Sequence, residues 1–294
     1  MKKIKFLGVL AIGLLAASCS SDDDNNSVST SDLSLNLTGL ENLGADFKYE
    51  GWIIVDGSPV STGVFTVNAS GVLSQTEFSI NSNQLNSATK FVLSIEPTID
   101  TDPAPSNTKI LAGDFSGNSA AVDSDLVADF SNASGKYILA TPTDNDTTNE
   151  ASGVWFLDNS SGSPVSGLNL PTLAPGWKYE GWTVFAGGPV STGTFTDPAM
   201  ADANAATSPY KGTVGNGPGF PGEDYVMGSA ASENFPTDLK GKTIVISVEP
   251  DPDNSPSPFT LKPLVHMVPA MAANHTVITM GTGPVTQLSG TVVR

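Results

Sequence analysis

Lys48 to Thr66 reads KYEGWIIVDGSPVSTGVFT, and Lys178 to Thr196 reads KYEGWTVFAGGPVSTGTFT. Thirteen of these 19 positions are identical at a constant spacing of 130 residues. A second pair follows, FVLSIEP at Phe91 to Pro97 and IVISVEP at Ile244 to Pro250, in which every difference exchanges one apolar residue for another. Leu35-Asn36-Leu37 and Leu168-Asn169-Leu170 open the two copies, and Ser152-Gly153-Val154 and Ser289-Gly290-Thr291 are read as closing them. A period this long indicates duplicated domains rather than a solenoid. The boundaries predicted are a first repeat over 33–165 and a second over 166–294.

Within each copy the pattern is short and β-rich. Lys48 to Val55 reads as a strand, Asp56-Gly57-Ser58-Pro59 as a turn, and Val60 to Thr66 as the returning arm of a hairpin. Phe91 to Glu96 has the apolar character of a central strand, and Pro97 ends it because proline has no N–H for the ladder. Further strands are expected at Lys109 to Ala112, Lys136 to Thr141 and Gly153 to Leu157. Their counterparts are expected at Leu261 to Val265, Thr276 to Met280 and Gly290 to Val293. The fold expected is all-β, two tandem antiparallel β-sandwich (immunoglobulin-like) domains. The glycines at 51 and 181 interrupt otherwise apolar strands, which points to a bulge or a close backbone approach. Glu50 shares a face with Trp52 by alternation, and the reading adopted is a packed tryptophan with a satisfied carboxylate.

Composition narrows the function. The chain has 294 residues, 13 basic and 30 acidic, with one Cys and two His. A surface so negative repels phosphate backbones, so nucleic acid is excluded as a partner. One Cys allows neither an internal disulfide nor a Cys₄ or Cys₂His₂ zinc site.

The first 26 residues carry an address. Lys2, Lys3 and Lys5 precede a 12-residue apolar run from Phe6 to Ala17, the proportions of a secretory signal. Leu15-Ala16-Ala17-Ser18-Cys19 resembles a bacterial lipobox, in which the thiol is acylated and the chain is cut before it. On that reading residues 1–18 are a cleaved lipoprotein signal peptide, Cys19 is the lipidated residue, and 19–32 form a disordered acidic linker. The linker begins Ser20-Ser21-Asp22-Asp23-Asp24, which resembles the export signal of Bacteroidota surface lipoproteins. The resemblance implies a palmitate-bearing anchor in the outer membrane, exposed at the cell surface.

The ordered motifs YEGW, GxPVSTGxF, a strand ending in Glu-Pro, and Leu111-Ala112-Gly113 resemble the extracytoplasmic C-terminal domain of anti-sigma-K factors. The likeness covers most of the first repeat and the front half of the second. It implies a β-rich fold. The sigma-binding helices and the membrane-spanning helix of that family have no counterpart in this sequence, so sigma-factor control and any catalytic residue do not carry over.

Few residues suggest chemistry. No nucleophile elbow or phosphate loop occurs, and Ser61 and Ser191 lack a repeated His or Asp partner in the sequence. His266 and His275, nine apart, fit no metal-binding helix face. The loops after each Glu-Pro carry Asp100 and Asp102, or Asp251 and Asp253, oxygen-rich enough to be candidate Ca²⁺ ligands. Asp144-Asn145-Asp146 with Glu150 is similar, without the glycine of an EF-hand. The second repeat also has 23 more residues than the first between its two shared motifs. That insertion brings Tyr210, Phe220 and Tyr225, with Glu223 and Asp224, as candidate binding residues. The expected function is a noncatalytic surface lipoprotein that binds or displays, with no cofactor beyond Ca²⁺ and an extracellular glycan or protein as partner. The alternative is a glycan-binding accessory protein or a secreted hydrolase with a carboxylate pair.

Overall fold

The computed structural model describes residues 29–253, 255–283 and 288–294. The signal peptide, Cys19 and most of the acidic linker lie outside these residues. The strands of the first part are β1 (Thr30–Thr38), β2 (Phe47–Val55), β3 (Ser58–Phe65), β4 (Glu77–Asn81), β5 (Lys90–Pro97), β6 (Lys109–Ser116), β7 (Ser119–Asp123), β8 (Ser134–Leu139), β9 (Gly153–Trp155) and β10 (Leu157–Asp158). They are followed by β11 (Val165–Ser166), β12 (Leu168–Asn169), β13 (Trp177–Phe185), β14 (Gly188–Phe195), β15 (Gly222–Asp224), β16 (Ser229–Ala230), β17 (Glu233–Asn234), β18 (Thr243–Pro250), β19 (Leu264–Met267), β20 (Ile278–Thr279), β21 (Gly281–Thr282) and β22 (Ser289–Val293). One short helix, α1 (Ser82–Ser87), was not foreseen; Asn81 caps it by accepting from the backbone N–H groups of Asn83 and Gln84.

The all-β, antiparallel expectation holds. Seven strands of the first repeat and β22 lie on one continuous path of eight, β3-β2-β5-β6-β7-β22-β1-β4. Its two ends approach each other, with Phe65 of β3 against Phe78 of β4 at 6.2 Å between ring centroids. The second repeat has the path β14-β13-β18-β19-β21, beside a second path β12-β8-β9-β15, with β20 also on β8.

The paired motifs form equivalent hairpins. β2 lies between β3 and β5, and β13 between β14 and β18, with the same bulge after Gly51 and Gly181. Those glycines are required by a close approach. A Cβ at Gly51 would strike the Thr62 hydroxyl and the Phe91 ring, and one at Gly181 would strike the Thr192 hydroxyl and the Phe156 ring. Tyr49 and Tyr179, each buried, stack on Phe65 and Phe195 at 5.5 Å. Each also donates its hydroxyl to a carbonyl eight residues upstream, at Glu41 and Pro171.

The boundary at 165/166 cuts through both sets of sheets. β22, from the end of the second repeat, sits between β1 and β7 of the first. β8, from the end of the first repeat, pairs with β12 and β20 of the second. The matching dipeptides are therefore Ser289-Gly290 and Ser134-Gly135, not Ser152-Gly153. Gly290 stands opposite Leu37 and Gly135 opposite Leu168. β22 thus lies wholly between strands of the other repeat, while β8 has β12 of the other repeat on one side and β9 of its own on the other. Consistent with this exchange, one contiguous apolar core runs from Leu33 through Phe156 and Tyr179 to Val292.

Candidate functional site

Two constellations of polar groups stand out, one tied across adjacent strands and one around an open groove. The first is duplicated. In the first repeat Trp52 Nε1 donates to Ser94 Oγ at 2.8 Å, Ser94 donates on to Glu96, and Ser61 donates to Glu50. In the second, Trp182 Nε1 donates to Ser247 Oγ at 2.7 Å, Ser247 to Glu249, and Ser191 to Glu180. Glu50 does share the Trp52 face, and its partner is the serine of the PVSTG motif. Glu96 and Glu249 also accept a backbone N–H from the loop that follows, at Ser106 and Phe259. Burial raises Glu180 to about 7 and Glu249 to about 8, because an ionised carboxylate loses its hydration there. Glu180 Oε2 and Glu249 Oε2 are buried with no partner. Recurrence in both repeats, with tryptophan, serine and glutamate tied across adjacent strands, marks this network as a brace of the sheet.

The second constellation is a groove of about 570 Å³. It is built where the first repeat's closing segment meets the second repeat's insertion. Ile138, Ala140, Trp155 and Leu157 form a small apolar cluster of their own, with Phe220 packed against it. These residues give the floor. Trp155 Nε1 donates to Asp224 Oδ1 at 2.6 Å, so its polar atom is engaged below and its carbons line the groove. Asp224 is fully buried and also accepts from the Thr143 N–H and hydroxyl; burial raises it to about 6. The insertion supplies the facing wall. Val214 N–H donates to the Thr143 carbonyl at 2.7 Å, and Gly217, at φ 80°, lies where any Cβ would strike the Trp155 ring.

The rim is polar. Glu150 is positioned by a 3₁₀ turn, Glu150–Ser152, and its Oε2 accepts the Thr141 N–H at 2.9 Å and contacts His275 Nε2 at 3.2 Å. His275 is held from two sides, its N–H on the Leu139 carbonyl and its carbonyl on Asn159 Nδ2, both at 2.9 Å. Its φ of 58° lies in the left-handed region, where a residue with a Cβ carries backbone strain. Asp144, Asn159 and Asn216 complete the rim.

The residues singled out from sequence fall differently. Tyr225 is wholly buried, in an aromatic cluster with Phe185, Tyr210 and Phe235, so it is a core residue rather than a binding one. Tyr210 packs in the same cluster, 5.3 Å from Phe235. Phe220 backs the floor of the groove. The four loop aspartates are engaged within their own turns or with lysine. Asp100 accepts from Asp102 N–H, Asp102 from Ala104 N–H and Asp253 from Ser255 N–H, while Asp251 pairs with Lys178 at 2.8 Å. No group of three or more His, Cys, Asp or Glu able to hold a metal ion occurs among the described residues. The two histidines have separate partners, His266 facing the Tyr137 hydroxyl at 3.0 Å and His275 facing Glu150. Sequence reasoning missed Trp155 and the Glu150–His275 pair.

Comparison with family models, with curated proteins and with solved structures finds no match to this chain.

Proposed function

We propose that the chain is a noncatalytic, lipid-anchored protein of the outer cell surface whose groove binds a short neutral saccharide. The observation that carries the reading is the groove itself, a carbon-lined floor under a rim of carboxylate, amide and imidazole groups. Sugar rings present that combination in reverse, with apolar C–H faces and hydroxyls at the edges. The acidic character of the chain, −17 overall, disfavours anionic ligands. The carboxyls that burial raises, Glu96, Glu180, Asp202, Glu223, Asp224 and Glu249, are themselves buried rather than placed at the groove's surface, which supports binding over a carboxylate-pair hydrolysis. Cys19 with its acidic follow-on supplies the tether, and the likeness to the anti-sigma-K domain is read as ancestry of fold alone.

The test is calorimetric titration of a soluble Cys19→Ser chain against neutral and anionic oligosaccharides. Glu150→Gln should weaken binding of a neutral ligand roughly tenfold, the loss of one charged hydrogen-bond acceptor. Equal binding of anionic and neutral sugars, or binding indifferent to Glu150, overturns the reading. Cys19→Ser should itself move the protein from the membrane pellet to the soluble fraction without detergent.

A further inference from the structure

The floor and the facing wall of the groove are tied to one side chain beneath them. Asp224 ends β15 opposite Gly153 of β9, and Trp155 stands opposite Gly222, so the carboxylate and the indole share a face of this strand pair. Gly153 makes the room, since a Cβ there would lie 2.5 Å from Asp224 Oδ1. Asp224 Oδ1 accepts the indole N–H at 2.6 Å, which holds the floor in place. Oδ2 accepts the Thr143 N–H at 2.8 Å and the Thr143 hydroxyl. Thr143 in turn holds the insertion. Its Oγ1 accepts from Gly212 N–H at 2.8 Å and its carbonyl from Val214 N–H at 2.7 Å. One fully buried carboxylate thus connects a floor from the first repeat to a wall from the second.

These three bonds all donate to Asp224, an arrangement that an ionised carboxylate satisfies and a neutral one does not. Of these partners, only Thr143 Oγ1 can accept a hydrogen from a protonated Asp224, and the threonine's own hydrogen then loses its acceptor. We propose that Asp224 is a positioning residue whose ionised carboxylate holds floor and wall at binding separation, and that its protonation loosens the groove and releases the bound saccharide. This rests on the saccharide reading of the groove and adds its regulation. Burial pushes the Asp224 carboxyl up to about 6 against the lowering bonds from Thr143 and Trp155, and Asp144 adds a smaller rise. The groove is therefore set above about pH 6 and loosens below it. Glu223, beside Asp224 on β15, is raised by burial to about 8 and is neutral where Asp224 titrates. Lys211, next to Gly212, is turned to the Gly215 carbonyl at 2.9 Å. Glu150 and His275, the ionisable pair at the rim, face each other.

The experiment uses the soluble Cys19→Ser chain with a panel of neutral gluco-, manno- and galacto-oligosaccharides. Proton–nitrogen NMR of the indole groups reads the bond to Asp224 with no ligand present, the Trp155 signal being the one that Trp155→Phe deletes. That signal should move with a midpoint near pH 6. It should stay still in Asp224→Asn, whose amide must turn its NH₂ on either the indole or Thr143. Calorimetric affinity for the tightest member of the panel should fall roughly tenfold from pH 7.5 to pH 5 with the same midpoint, the effect of one charge-assisted bond lost. Glu150→Gln removes the rim pair and should keep that fall, which assigns it to Asp224. Thr143→Val keeps the indole bond but cuts the link to Gly212. It should lower hydrogen-exchange protection at Gly212 and Val214 and weaken binding at pH 7.5, a check that stands if Asp224→Asn does not fold. A Trp155 signal unmoved between pH 5 and 8, or an affinity with no step near pH 6, overturns the proposal. If no member of the panel binds at pH 7.5, the saccharide reading fails. A titrating indole, with Gly212 protection that drops below pH 6, then still upholds the grip of Asp224 on the groove, and a flat one refutes it.

Discussion

Glu180 offers the sharpest physical test of the brace. Its carboxyl is 4% exposed, accepts from Ser191 through one oxygen and leaves the other buried without a partner. Burial raises it from 4.5 to about 7, with Asp253 adding to the effect and Ser191 and Lys178 opposing it. An acid whose folded value lies above its unfolded one stabilises the fold only while protonated. Its contribution is complete below about pH 4.5 and is lost as pH rises toward 7. At about 1.4 kcal/mol per pH unit, the cost of keeping this group in the fold grows from about 1 kcal/mol at pH 5 to about 3 kcal/mol at pH 7 and above. Glu180→Gln replaces the titrating oxygen by a neutral amide and keeps an acceptor for Ser191. The variant should therefore match the parent near pH 4.5 and exceed it by about 3 kcal/mol at pH 8. Urea unfolding of the soluble chain at pH 5, 7 and 9, fitted for midpoint and slope, reads this directly. A variant less stable than the parent at pH 9, or a difference that is the same at pH 5 and pH 9, would refute the reasoning.

Other outcomes follow from single contacts. Gly51→Ala and Gly181→Ala each press a methyl onto a threonine hydroxyl and a phenylalanine ring, and should cost about 1–3 kcal/mol in denaturant unfolding. Trp155→Phe removes the donor to buried Asp224 and should cost about 2 kcal/mol, the price of a charged acceptor left short of a partner. Tyr179→Phe removes only the bond to the Pro171 carbonyl, and a loss of about 1 kcal/mol is expected by the same assay. Because the loop aspartates are engaged within their turns or with lysine, millimolar Ca²⁺ against chelator should shift the melting temperature by less than about 1 °C; a rise of several degrees would show a site these contacts hide.

The strands of the two motif pairs were legible because alternation, a turn dipeptide and a terminal proline each act locally. The face shared by Glu50 and Trp52 was legible for the same reason, and the glycine between them correctly signalled a bulge. The destination of the closing strands was not. GKYIL after Ser134 and GTVV after Ser289 present the same alternation to either repeat's sheet, and nothing local to a strand names its neighbour. The serine-glycine match was consequently placed at Ser152, where Gly153 in fact passes close to the Ala140 carbonyl and Asp224 within the β8–β9–β15 group. The aromatics of the insertion were misjudged in kind. Tyr225 follows two acids and reads as a surface residue, yet it lies against Phe185 with the ring planes at 84°, inside the core. The groove was hidden by distance along the chain, since Glu150 and His275 meet only after β8 and β9 are laid beside the second repeat. One signal was available. Trp155 is a large aromatic outside the repeated motifs, and such a residue needs a setting the shared motifs do not supply.

The exchange and the groove are linked by construction. Ile138, Glu150, Trp155 and Leu157 come from the closing segment of the first repeat, whereas Val214, Gly217, Asp224 and His275 come from the second. A lone first repeat would leave the Trp155 indole without Asp224 and Glu150 without His275. A lone second repeat would lack the floor altogether. β8 delivers that floor by pairing into the neighbour's sheet, and β22 returns the favour by completing the sheet that β8 vacates. The two exchanged strands thus hold the halves in the single relative placement that brings rim and floor together. A duplication that kept its closing strands at home would have produced two sound domains and no groove between them.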